Sequence, residues 1–350
     1  MPAHSSPSAA PALPSGALPG HRPGRTLHLA AAIGGGLPAG QGTAYYRDLA
    51  RLAEGGGLDF VTLELAAGPT DGSDGSGGAG PLDALSLLAS VAPATGRIGV
   101  VPAVPAVPAV PAGAFDVAVA VATLDWVSRG RAGWALAVPG PPPGRGRGRP
   151  PERPAAVWRA AGDTAAAVTG LWRGGRWPSP AAPVTVLDAT EPAARGVAAR
   201  HADVAFVRAT RPEDAGFIRA DLHRLAAEAG RDPDRLLVVA DLSVDLGGGE
   251  VGAEPGAEIA LLPDASGGVL FRGGPVDLAD LIADWQRQAA VDGFHVRPVE
   301  PARDLERFVN GTAALLQHRG LFRSFHPGAT LREHLDLHRP ARPAARGVLS

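Results

Sequence analysis

The sequence predicts an α/β fold, a closed (β/α)8 TIM barrel with Gly/Pro-rich loop insertions, on three observations. Short β-branched or apolar runs alternate with longer amphipathic runs over most of the 350 residues, the pattern of successive strand–helix units on a parallel sheet. Eight such pairs can be counted, the number that closes a barrel. Glycine and proline punctuate the connections where a helix or strand has to stop. The alternative, an open doubly wound sheet, rarely needs eight units this regular.

Residues 1–25 are proline-rich and lack a charged start followed by an apolar core, so they read as a disordered tail rather than a secretory signal. The barrel is expected over 26–337. LHLAAAI (27–33) is the first strand, 43–54 the first helix, and Gly55, Gly56 and Gly57 end it, because glycine tolerates the left-handed conformation of a C-terminal cap. LDFVTLEL (58–65) is the second strand. After the loop 68–80, PLDALSLLASVA (81–92) places Leu82, Leu85 and Leu88 at helical spacing. RIGVVPAV (97–104) is the third strand, 115–128 the third helix and 131–138 the fourth strand. The run PGPPPGRGRGRPPERP (139–154) is an exposed insertion, since proline lacks an amide donor and glycine is costly to order.

The second half repeats the pattern with a helix at 155–173, VTVLDAT (184–190) as fifth strand and a helix at 191–201. DVAFVRA (203–209) and RLLVVADLSV (235–244) are strands six and seven around the helix 212–230. A second glycine-rich insertion is expected at 247–274, then a helix at 275–290, the eighth strand DGFHVRP (292–298), its helix 301–320 and a tail at 338–350.

Composition narrows the function classes. Hydrophobic residues make up 45%, enough for a large core, but no run approaches the ~18 apolar residues of a membrane span. A formal charge of −2 lacks the basic footprint of a nucleic-acid or anionic-membrane binder. With no cysteine there are neither disulfides nor thiolate chemistry, and a cytoplasmic location is expected. No metal site is expected, because His28 has no partner two residues away, and no G-x-S-x-G elbow provides a serine nucleophile.

In a barrel of this kind chemistry sits at the C-terminal ends of the strands. The titratable residues there are Glu64, Asp188, Arg208, Asp241, His295 and Arg297, few and scattered along the chain. Thr190 is read as the N-cap of the fifth helix, with Glu191 and Pro192 in its first turn, a start whose free amides suit a phosphate group or plain capping. Asp188 either orients that loop or caps the helix. Arg208 neutralises an anion or points to solvent. Arg145, Arg147 and Arg149 could bind an anion, with solubilising charges or a mobile lid as the default reading.

Four segments, in order, resemble one family. ATLDWVSRGRAGW (122–134) resembles the turn between helix three and strand four of the bacterial luciferase-like, flavin-dependent monooxygenases. YRDLARLAEGGGLDFVTLEL, LDALSLLASVAPATGRIGVVPAV and the stretch from DGFHVRP to ATLREHL are similar to other parts of the same family, in the branch of nitrilotriacetate and alkanesulfonate monooxygenases.

The resemblance implies FMN at the strand ends, its phosphate near Asp188, Ala189 and Thr190, with Glu64 and Arg208 also in reach of cofactor. It implies reduced flavin delivered by a separate NAD(P)H-dependent reductase, O2 and a small-molecule substrate as reactants, and a homodimer. Glu64, His295 and Arg297 are the catalytic candidates. Where the family commonly places polar residues after strands three and four, this chain has VPAVPAVPAVPAGAF and GWALAVPG. A degenerate, non-catalytic flavin- or partner-binding barrel is therefore kept as an alternative, as is a deazaflavin-dependent oxidoreductase.

Overall fold

The computed structural model describes residues 27–34, 42–65, 83–105, 113–138, 155–174, 182–247, 261–263 and 268–337. The two expected tails, the 139–154 insertion and its three arginines lie outside the described residues. The strands are β1 His28–Ala32, β2 Phe60–Leu63, β3 Gly99–Pro105, β4 Gly133–Ala137, β5 Val184–Asp188, β6 Val204–Val207, β7 Leu237–Asp245, β8 Leu261–Pro263, β9 Val269–Arg272 and β10 Gly293–Pro298. The helices are α1 Thr43–Gly55, α2 Asp83–Val91, α3 Ala114–Val127, α4 Ala155–Arg173, α5 Pro192–His201, α6 Pro212–Glu228, α7 Pro275–Arg287 and α8 Pro301–Arg307. The chain from α8 continues as a π-helical turn Phe308–Ala313 into α9 Ala314–His318, and α10 is Leu331–His334.

β1 to β7 pair in order and in parallel, and β10 pairs with both β7 and β1, closing an eight-stranded barrel. The stretch read as a plain insertion at 247–274 carries two further strands. The hairpin β8–β9 pairs with β7 from Ser243 to Asp245, beyond the point where β6 ends opposite Ala240, so it sits at the barrel mouth.

Alternation decides what fills the barrel. Ala30, Phe60, Val101, Val184, Val186, Val204, Phe206, Leu237 and Val239 point inward and form one apolar cluster. Their sequence neighbours, such as Leu29, Val61, Val100, Leu187, Ala205 and Val238, point outward into the layer shared with the helices. The lower end is plugged by the C-terminal segment: Leu331, Leu335 and Leu337 belong to the interior cluster, and the Leu331 amide donates to the Gly130 carbonyl at 3.1 Å.

The lower face is also where register is fixed. An aspartate precedes each of three strands and accepts an amide from the preceding neighbour: Asp59 from Leu29, Asp203 from Thr185, Asp292 from Val238. Each carboxylate is held by an arginine, Arg323 at 2.8 Å, Arg332 at 2.7 Å and Arg219 at 3.0 Å respectively.

The turn in ATLDWVSRGRAGW lies on this face. Arg129 and Gly130 both adopt positive φ, 59° and 84°, reversing the chain between α3 and β4. Arg131 is buried and donates to the carbonyls of Ser128, Ala92, Thr95 and Ile98 and to the Thr95 hydroxyl, which braces the turn against the α2–β3 connection. Leu124 is buried in the outer core and Val127 is partly buried against it.

Candidate active site

The inward-facing ends of the strands form the floor of the barrel mouth, and that floor has two halves. From β1, β3 and β4 come Ala32, Ala103 and Ala137, small and apolar. From β5, from just after β6, and from β7 and β10 come Asp188, Arg208, Asp241 and Arg297, all charged. Thr62 of β2 stands at the boundary.

Strand-end charges that lie scattered along the chain are one connected cluster in space. Asp241 is its centre: its carboxylate accepts from His295 Nδ1 at 2.7 Å, Arg297 Nε at 2.8 Å and Arg208 Nε at 2.9 Å. Arg208 also reaches Asp188 at 3.1 Å, and Arg297 reaches Glu64 at 3.4 Å. On the far side of His295, Nε2 meets the Thr62 hydroxyl at 2.8 Å. The reason is closure: β10 lies beside β7 with His295 opposite Asp241, and β6 is on β7's other side.

Burial alone would raise the Asp241 carboxyl, but Arg297, the His295 hydrogen bond and Arg208 outweigh it and hold the group well below the usual carboxylate range. Burial lowers His295, and the two arginines add to this against the pull of Asp241. Asp241 raises Arg297 above the usual arginine range, and Asp188 with Asp241 outweighs burial to raise Arg208. A buried carboxylate with three charge-assisted partners is a stable, fixed anion.

His295 and Arg297, two apart, both face inward, but their depths differ. Arg297 keeps 37% of its side chain exposed at the mouth, whereas the His295 ring is wholly buried. It lies nearly parallel to Phe206, 4.5 Å between centroids, and to Phe60 below. Direct contact between His295 and a ligand at the mouth is therefore ruled out by depth. Glu64 is the most exposed member of the cluster, 59% by side chain.

At β5 the local structure differs from the sequence expectation. The N-cap of α5 is Glu191, not Thr190, and Pro192 occupies the first turn. Thr190 turns toward β6 instead, its hydroxyl accepting from the Arg208 amide at 3.1 Å. Asp188 orients the loop rather than capping the helix: its Oδ1 accepts from the Thr190 amide at 2.9 Å. Ala189 is fully buried in the outer core and its amide is committed to the Phe206 carbonyl. Among the described residues no group of three histidine, cysteine or acidic side chains is arranged to hold a metal ion.

The sequence alone pointed to the six titratable members of this cluster, but it gave Asp241 no role and did not single out Thr62. The one available signal was parity, since Thr62 and Glu64, and His295 and Arg297, share the inward face of their strands.

Residues 26–249 match the family model described as luciferase-like monooxygenase. The chain belongs to that family. A stretch of 82 residues, 23% of the chain, is 39% identical to nitrilotriacetate monooxygenase component A of Aminobacter aminovorans, and 77 residues, 22% of the chain, are 39% identical to N-acetyl-S-(2-succino)cysteine monooxygenase of Bacillus subtilis. Each match spans 18% of the relative's own length. The fold is that of the EDTA monooxygenase from Chelativorans sp. BNC1, at TM-score 0.68 and 19% identity, covering 90% of this chain and 99% of that one. The luciferase-like assignment thus agrees with the four ordered segments and with the nitrilotriacetate-type branch.

Proposed function

We propose that this luciferase-like barrel is an FMN-dependent monooxygenase that takes reduced flavin from an NAD(P)H-dependent reductase and uses O2 on a small organic substrate. The observation that carries the reading is the divided floor, in a chain that belongs to this family. A flavin ring has an apolar edge and a hydrogen-bonding edge, and Ala32, Ala103 and Ala137 opposite the Arg297–Asp241–Arg208 cluster fit both. When bound, the flavin supplies the reaction with O2.

The chain's own residues bind and orient. Thr190, whose hydroxyl proton is free of the Arg208 amide it accepts, and Arg208 are the phosphate candidates. Asp188 holds both through its two oxygens, while Ala189 has only its carbonyl to offer. Arg297 and Glu64 line the rim where substrate arrives, and the alanines keep that half of the floor dry. The same alanines favour a second reading: ends of β3 and β4 without a polar side chain suit a barrel that binds flavin or a partner without turning over.

Titration with FMN, reduced FMN and deazaflavin under anaerobic conditions, followed by calorimetry, tests the proposal. Tight binding of reduced FMN supports it, preference for deazaflavin moves the assignment to that cofactor, and no binding of either removes it. Oxygen-dependent turnover with a flavin reductase added would eliminate the non-catalytic reading.

Self-association as a homodimer is part of the same proposal. Among the described residues α3 exposes Phe115, Val119 and Trp126 along one side, a stripe suited to a second copy. No helix among them is long and apolar enough to cross a membrane.

A further inference from the structure

Thr62, His295 and Asp241 stand in line as hydroxyl, imidazole and carboxylate, at 2.8 Å and 2.7 Å. We propose that this line is a proton relay ending on the floor of the mouth, with Thr62 Oγ as the catalytic atom and His295 and Asp241 as positioning residues. The inference rests on the flavin-site reading above for its ligand, but not for its protonation state.

The orientation follows from donor and acceptor inventory. A carboxylate is acceptor-only, so the proton of the Asp241 contact is on His295 Nδ1. His295 is buried beside Arg208 and Arg297, which disfavour a second proton, so Nε2 is bare and accepts from the Thr62 hydroxyl. The lone pairs of Thr62 Oγ are then left to accept from a ligand. The other tautomer, protonated at Nε2, would set a bare Nδ1 lone pair against the acceptor-only Asp241 carboxylate and forfeit that 2.7 Å bond.

In the forward step an N–H or O–H bond of the bound ligand breaks and its proton goes to Thr62 Oγ, as the original Thr62 proton passes to His295 Nε2. The imidazolium formed is balanced by Asp241, and the reverse step returns the proton. This is the logic of a serine–histidine–aspartate triad used for proton transfer. It also supplies polar function on the one inward strand end between the bare ends of β1 and β3. The charged and titratable groups around His295 are Asp241 of β7, Arg208 after β6, Arg297 on β10, and beyond them Glu64 and Asp188.

The test begins with the full chain carrying isotope-labelled histidine, the His295 signals identified by their loss in His295→Gln. The expected result is a neutral Nδ1–H tautomer at neutral pH whose Nε2 signal moves in Thr62→Val. An Nε2–H tautomer overturns the relay whether or not flavin binds. With reductase and flavin supplied, Thr62→Val is expected to lower kcat by about 10²-fold or more, with reduced-FMN affinity within about twofold, and Thr62→Ser to restore most of the rate. An unchanged kcat and pH profile in folded Thr62→Val overturns the proposal. Absence of flavin binding in the unmodified protein overturns the flavin-site reading instead, and the histidine signals still decide the relay.

Discussion

Acidification should loosen the C-terminal plug, and His334 sets how much. The ring is buried at the foot of the barrel, its Nε2 donating to the Gly328 carbonyl at 3.1 Å and its Nδ1 without a hydrogen-bond partner among the described residues. It lies 4.8 Å from the His326 ring. Burial lowers the imidazole to about 4, with His326 and Arg323 adding to it against the Gly328 carbonyl. A histidine depressed in the fold is protonated first in the unfolded chain, so its stabilisation is complete above about pH 6.5 and is lost as pH falls toward 4. The gap corresponds to about 3 kcal/mol below both values and about 2 kcal/mol at pH 5. His326 is lowered in the same direction, by burial first, and adds to the trend.

His334→Gln isolates the contribution, since the glutamine amide can still donate to Gly328 but does not titrate. Urea unfolding of both proteins, followed by fluorescence of buried tryptophans such as Trp134 and Trp158 at about pH 7.5 and about pH 5, gives the two differences in stability. The variant's loss on acidification should be smaller by about 2 kcal/mol. Equal losses in the two proteins would refute the reasoning, because they would place the proton-linked cost elsewhere.

Arg131→Lys should destabilise the protein by about 3 kcal/mol, because a compact ammonium cannot reach four carbonyls and a hydroxyl that a planar guanidinium serves, and each abandoned buried acceptor carries a cost. Its midpoint in urea should fall while flavin affinity stays unchanged, the site being at the opposite end of the barrel. Trp126→Glu, at a position 67% exposed on α3, should leave the fold intact and convert a dimer to monomer by light scattering. An unchanged mass for a dimeric parent would place the interface elsewhere.

Local signals carried the architecture. Strand alternation and helical spacing are short-range properties, so the eight strand–helix units and the glycine-terminated α1 could both be read along the chain. The luciferase-like relationship was legible for the same reason: its most recognisable run, ATLDWVSRGRAGW, is a turn whose demands on φ and on a bracing arginine are local. Reading failed at finer detail where a contact from another strand competes with a local one. Thr190 has the chemistry of an N-cap, yet its hydroxyl serves the Arg208 amide of the neighbouring strand, and Glu191 takes the cap position.

The site itself needed the tertiary structure. Thr62 and His295 are 233 residues apart, and His295 and Asp241 are 54 apart; nothing in their flanking sequences refers to one another. Closure of the sheet sets β10 between β7 and β1, and only then do five scattered charges, one imidazole and one hydroxyl become a single network. Depth was decided there too, because parity assigns a side chain to the inside of a barrel but not to a level along its axis. Chain order along β10 puts Arg297 two residues nearer the mouth than His295, but only the stagger of the neighbouring strands sets the mouth between them, with Arg297 part-exposed and His295 buried.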